Sequence, residues 1–136
     1  DQMIVQEECK EIVEIFESKG EDYFRDLETK KLLEIEDYKK TIFATGGGIV
    51  LRQQNREILK RNFSVYLKAS YQTIFERIKD DNTRPLLNTQ GPYSTGLKIF
   101  ESREDIYDSF DFIVDTDNVS PALIVDEIYS LYKKQK

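Results

Sequence analysis

Apolar residues recur at three- and four-residue steps through Met3, Ile4, Val5, Cys9, Ile12, Val13 and Phe16, which predicts one amphipathic helix ended by Gly20. A second helix is expected from about Asp22, with Tyr23, Phe24, Leu27, Leu32 and Leu33 as its apolar positions. The pattern then shortens. "TIFAT" (residues 41–45) reads as a buried strand, broken at once by Gly46, Gly47 and Gly48. "REILKRN" predicts a short helix, "FSVYLKA" a strand, and "SYQTIFERIKDD" a helix with Ile74 and Ile78 four apart. "NTRPLLNTQGPYSTG" is rich in Asn, Thr, Pro and Gly and predicts a loop. "LKIFESREDIYDSF" returns to helix and "DFIVDT" to strand. The last helix, "SPALIVDEIYSLYKK", has Ser120 as N-cap and Pro121 at its first position.

Strands alternating with helices predict a parallel α/β sheet covered on both faces. Three strands are expected, near residues 41–45, 63–68 and 111–115. With 136 residues the chain is one domain, and no internal repeat or linker interrupts it.

Composition narrows the chemistry. Net charge is −6 and basic residues are interleaved with acidic ones, so no basic face for nucleic acid is expected. A bound anion would have to be held by a few placed arginines. Histidine is absent, which removes His-based triads and His-ligated zinc. The lone cysteine, Cys9, rules out an intrachain disulfide and is expected to be a buried core thiol. No apolar run reaches the length of a membrane span, and a cytoplasmic location is expected.

Four places could carry chemistry. The glycine triplet lies at the carboxyl end of an expected strand, where open α/β sheets bind ligands. Without Cβ atoms, its N–H groups can approach an anion or hydroxyl closely. In "GEDYFRDLE", Arg25 falls in the expected first helical turn, where a cation opposes the macrodipole and suggests a partner elsewhere. Taken alone, it would more often be a solvated surface arginine. Arg84 sits in the polar loop "DNTRPLL", placed as a lid arginine that could fork onto phosphate oxygens. Arg103 and Tyr107 in "SREDIY" share a helix face at i, i+4, a spacing that helical pairing also explains.

The set and its order resemble the shikimate kinases. The motifs are Gly-Glu-x-x-Phe-Arg-x-x-Glu (20–28), a strand ending Thr-Gly-Gly-Gly (45–48), Arg-Pro-Leu-Leu (84–87) and Arg-x-x-x-Tyr (103–107). This resemblance implies a P-loop-kinase-like fold of the nucleoside-monophosphate-kinase type, with residues 81–96 as its lid loop. It implies transfer of the γ-phosphoryl group of ATP to the 3-hydroxyl of shikimate, with Mg²⁺. Arg25 and Arg103 would hold the shikimate carboxylate. Gly47, shaped by Gly46 and Gly48, would contact a substrate hydroxyl or the transferring phosphoryl group. Arg84 would reach the ATP phosphates, and Arg77 would lie near the adenine. Asp1 falls at the second aspartate of the family's Asp-x-Asp and would hydrogen-bond the reacting hydroxyl.

One departure stands out. No G-x-x-x-x-G-K-[ST] phosphate loop occurs in the 136 residues. In the resemblance that loop precedes Asp1, within a strand–loop–helix–strand segment of about 30 residues that would also carry the Mg²⁺ ligands. The chain as it stands is therefore expected to be catalytically inactive and poorly folded alone, since the absent first strand would be the central one of a 2-3-1-4-5 sheet. The expected working state is a monomer taking shikimate and ATP. Two rivals remain: a kinase of the same fold for another hydroxy acid, and a non-catalytic binding module.

Overall fold

The computed structural model is described over residues 1–79 and 91–135, which hold seven α-helices and two strands. Helices α1 (Gln2–Glu8), α2 (Ile12–Lys19) and α3 (Glu21–Ile35) open the chain. A 3₁₀ turn over Gly47–Leu51 leads into α4 (Gln53–Arg61) and strand β1 (Val65–Lys68). Helices α5 (Tyr71–Ile78) and α6 (Pro92–Asp108) follow, then β2 (Phe112–Asp115) and α7 (Pro121–Gln135).

The strands pair in parallel, Val65 opposite Phe112 and Lys68 opposite Asp115. Helices lie on both faces of the pair. On one, Tyr66 stacks on Tyr107 of α6 at 4.9 Å, and Lys68 donates to Asp108 at 2.8 Å. On the other, Phe63 meets Phe112 at 4.7 Å and Tyr132 of α7 at 5.3 Å.

Two apolar clusters make the core. Ile4, Ile15 and Phe24 join α1, α2 and α3. Leu32, Ile49, Val50, Ile58 and Phe110 lock α3 and α4 around the 3₁₀ turn. Outside the first cluster, Glu7 of α1 takes ammonium groups from Lys30 and Lys31 of α3. Those hydrogen bonds, Lys30 first, hold its carboxyl down to about 2.

Four expectations fail here. The first helix is two. Cys9 ends α1 in the left-handed region at φ 52°, and Glu11 starts α2 with its N–H bonded to the Glu14 carboxylate at 2.9 Å. That capping exchange satisfies free N–H groups and restarts the helix at a new angle. Cys9 is correspondingly exposed, not a core thiol. Residues 41–45 form no strand, and Ile42 is 98 % exposed. Among the described residues no strand runs beside them, so apolar character alone gives no ladder. Helix α6 begins at Pro92 and so takes in the end of the expected 81–96 loop, whose residues 81–90 lie outside the described residues.

Candidate functional site

Gly20 sets the site's geometry. It closes α2, its N–H bonding Phe16 O at 2.9 Å, and opens α3 directly. Its φ of 85° lies where an L side chain is strained, so glycine allows a one-residue corner between the two helices. The corner turns the Phe24–Arg25 side of α3 inward. Phe24 packs on Phe16 at 5.0 Å, and Arg25 is only 8 % exposed.

Burial of an arginine requires partners, because an unpaired buried charge is costly. Arg25 finds them on its own helix. Its Nη1 donates to Glu28 Oε2 at 2.6 Å; its Nη2 and Nε reach Glu21 Oε1 at 3.2 and 3.4 Å. The surface-arginine expectation is thus corrected, and the partner is local. Arg25 is the fifth residue of α3 and lies past its first turn, which carries Glu21 and Asp22.

The glycine turn closes over this arginine. A Cβ on Gly48 would collide with the guanidinium of Arg25. One on Gly46 would lie 2.9 Å from Asp1 Oδ1, and one on Gly47 3.0 Å from the Tyr107 hydroxyl. Each glycine therefore faces a different polar side chain at a distance that a methyl group would fill. The Tyr107 hydroxyl donates to Gly47 O at 2.6 Å, tying α6 to the turn. Behind it, the fully buried Asn55 donates through Nδ2 to Ile49 O at 2.9 Å and fixes the 3₁₀ turn from α4.

Asp1, Arg25, Gly46, Gly47 and Gly48 are thereby brought together. Arg103 stands one turn before Tyr107 on the same helix, half-buried and with no hydrogen bond or ion pair among the described residues. Arg77 is elsewhere. It spans from α5 to Thr116, Nη2 to the carbonyl at 3.1 Å and Nη1 to Oγ1 at 3.3 Å, beyond the end of β2. Nearby, Asp117 accepts the Ser70 N–H at 2.9 Å, which with Thr73 holds its carboxyl below the ordinary range. An open cleft lined by Lys68, Ser70, Tyr71, Phe100, Glu104 and Asp117 lies at this end of the strands. Arg84 lies outside the described residues.

Three residues were not assigned roles from sequence. Glu21 and Glu28 flank Arg25 at i−4 and i+3, a spacing readable on any helix once Arg25 is known to be buried. Tyr107 was visible as a neighbour of Arg103, but its partner lies 60 residues away.

The family model for shikimate kinase matches residues 1–133. The chain belongs to the shikimate kinase family. It is 36% identical over 135 residues to the shikimate kinase of Thermodesulfovibrio yellowstonii, covering 98% of this chain and 78% of that one. To the enzyme of Persephonella marina it is 40% identical over 129 residues, covering 94% and 77%. The solved structure of the Acinetobacter baumannii shikimate kinase in complex with shikimate superposes with a TM-score of 0.94 at 30% identity, covering 100% of this chain and 77% of that one. That of Aquifex aeolicus does so at 0.83 and 30%, covering 99% and 79%. The fold is accordingly the P-loop-kinase fold, and the family is one of small-molecule kinases.

Shikimate kinases use ATP and Mg²⁺. Among the described residues no group of three or more acidic or cysteine side chains could hold a metal ion. No helix among the described residues is long and apolar enough to cross a membrane.

Proposed function

We propose that this chain carries the acceptor side of a shikimate kinase, the enzyme that passes the γ-phosphoryl group of ATP to the 3-hydroxyl of shikimate. The observation that carries this assignment is the closure of Gly48 over the buried guanidinium of Arg25, with Asp1 against Gly46. Arg25 and Arg103 hold the shikimate carboxylate, because a guanidinium forks onto two oxygens of one planar group. That fixes the ring, so the 3-hydroxyl meets the carboxylate of Asp1 beside the glycine turn. Asp1 accepts the hydroxyl hydrogen bond and takes the proton as the oxygen–phosphorus bond forms and ADP leaves.

Gly47, held through its carbonyl by Tyr107, keeps the turn in the geometry in which its N–H groups meet a hydroxyl or phosphoryl oxygen. Arg84 reaches the ATP phosphates from the loop and stabilises charge as water is excluded. Arg77 lies on the adenine side. No G-x-x-x-x-G-K-[ST] loop occurs within residues 1–136, so a polypeptide of these residues alone would lack that loop's lysine on the β- and γ-phosphates and would not turn shikimate over at a useful rate. The protein works as a cytoplasmic monomer, without nucleic-acid or membrane partners.

Calorimetric titration of shikimate, paired with a coupled ADP-release assay on protein from its natural source, tests the assignment. Saturable shikimate binding with ADP release dependent on shikimate is expected. Binding of another hydroxy acid in preference to shikimate would overturn it.

A further inference from the structure

We propose that Glu21 is the resident counter-ion of the substrate arginine, an internal carboxylate that the substrate carboxylate displaces, and so a determinant of affinity. The inference rests on the assignment of Arg25 to the shikimate carboxylate.

The two carboxylates on Arg25 are unequal. Glu28 is held at 2.6 Å on Nη1, and its side chain is 4% exposed. Glu21 spans Nη2 and Nε with one oxygen at 3.2 and 3.4 Å, and its side chain is 44% exposed. A guanidinium presents a carboxylate with two paired edges, Nε with Nη2 and Nη1 with Nη2. Here Glu21 takes the first edge and Glu28 half of the second, while Gly48 covers the group closely. An arriving carboxylate thus finds no edge with both N–H groups unshared.

One of the two acids must yield. Glu28 cannot, since withdrawing it from Nη1 would strand a buried charge. Glu21 can. It is the first residue of α3, its contacts are long, and water is beside it. Turned out to solvent, it still lies at the helix N-terminus, where a negative charge is favoured. Charge points the same way. One guanidinium with two carboxylates sums to −1, an environment that repels an anion until Glu21 leaves. Glu21 is then a positioning and competing residue, in contact with Arg25 and not with the reacting atoms.

The test compares shikimate with its methyl ester, which lacks the anion, by calorimetry on the wild type, Glu21→Gln, Glu21→Ala and Glu28→Gln. Both Glu21 variants are expected to tighten shikimate binding about two- to fivefold, the range of an exposed ion pair, and to leave the ester unchanged. Glu28→Gln is expected to weaken shikimate binding. If the Glu21 variants bind shikimate more weakly, or shift shikimate and ester alike, Glu21 orients Arg25 rather than competing, and the inference is overturned alone. If the wild type binds no shikimate at all, the acceptor assignment falls, and this inference with it.

Discussion

Around Arg25 the chain is braced from several elements, whereas among the described residues Arg77 is held by hydrogen bonds to Thr116 alone. The first region draws on α3, the glycine turn, α6 and the Asp1 carboxylate, with a buried arginine held by Glu28 at its centre. In the second, among the described residues, an exposed Arg77 hydrogen-bonds to Thr116 and lies near the Asp117 carboxylate, beside an open cleft. The same distinction runs through the backbone. The glycine turn is buried from Gly48 to Val50, but residues 41–45 just before it pair with nothing described. On the proposed assignment, the shikimate side is built by contacts among the described residues around Arg25, and binding of the two substrates should respond separately to mutation.

The largest effect is expected at the braced centre. Arg25→Ala would leave Glu28 buried without its cation, costing about 3–5 kcal/mol of stability and abolishing shikimate binding. Urea denaturation and calorimetry read the two losses. Gly48→Ala comes next. Its methyl group would fall on the guanidinium, and overpacking of this kind costs about 1–3 kcal/mol. Shikimate binding should weaken at least tenfold, since Arg25 must shift. A variant with unchanged affinity would show that the turn does not position the arginine.

Tyr107→Phe keeps the stack on Tyr66 but removes the bond to Gly47 O. A stability loss of about 0.5–1.5 kcal/mol is expected, seen as a Tm lower by a few degrees together with a raised KM for shikimate. The smallest effect on the acceptor belongs to the Arg77 region. Arg77→Ala should leave shikimate affinity unchanged while raising the KM for ATP, which separates the two ends directly in one kinetic experiment.

Much of this could be read from sequence, and the misses have physical causes. Helices α3, α4, α5 and α7 announce themselves through local period, and α5 and α7 also through N-cap serines Ser70 and Ser120, which short-range forces decide. The break at Cys9 does not, because Ile4, Ile12 and Ile15 keep a helical rhythm across it. Only the Glu11–Glu14 capping exchange marks the restart. "TIFAT" has strand-like residues, but a strand exists only with a neighbour, and pairing is not a local property. Arg25 taken alone looks solvated, since the glycine that covers it is 23 residues away and no spacing rule links them. The motif order assigned it a role where residue type could not. Glu21 was in plain view within the same motif, yet its meaning depends on knowing that Arg25 is buried.

The most direct measurement is a calorimetric titration of shikimate, without nucleotide, into the wild type, Arg77→Ala and Arg25→Ala. An acceptor end built independently of the donor end predicts saturable one-to-one binding, the same in Arg77→Ala and lost in Arg25→Ala. Equal binding by Arg25→Ala, or none by the wild type until nucleotide is added, would contradict it.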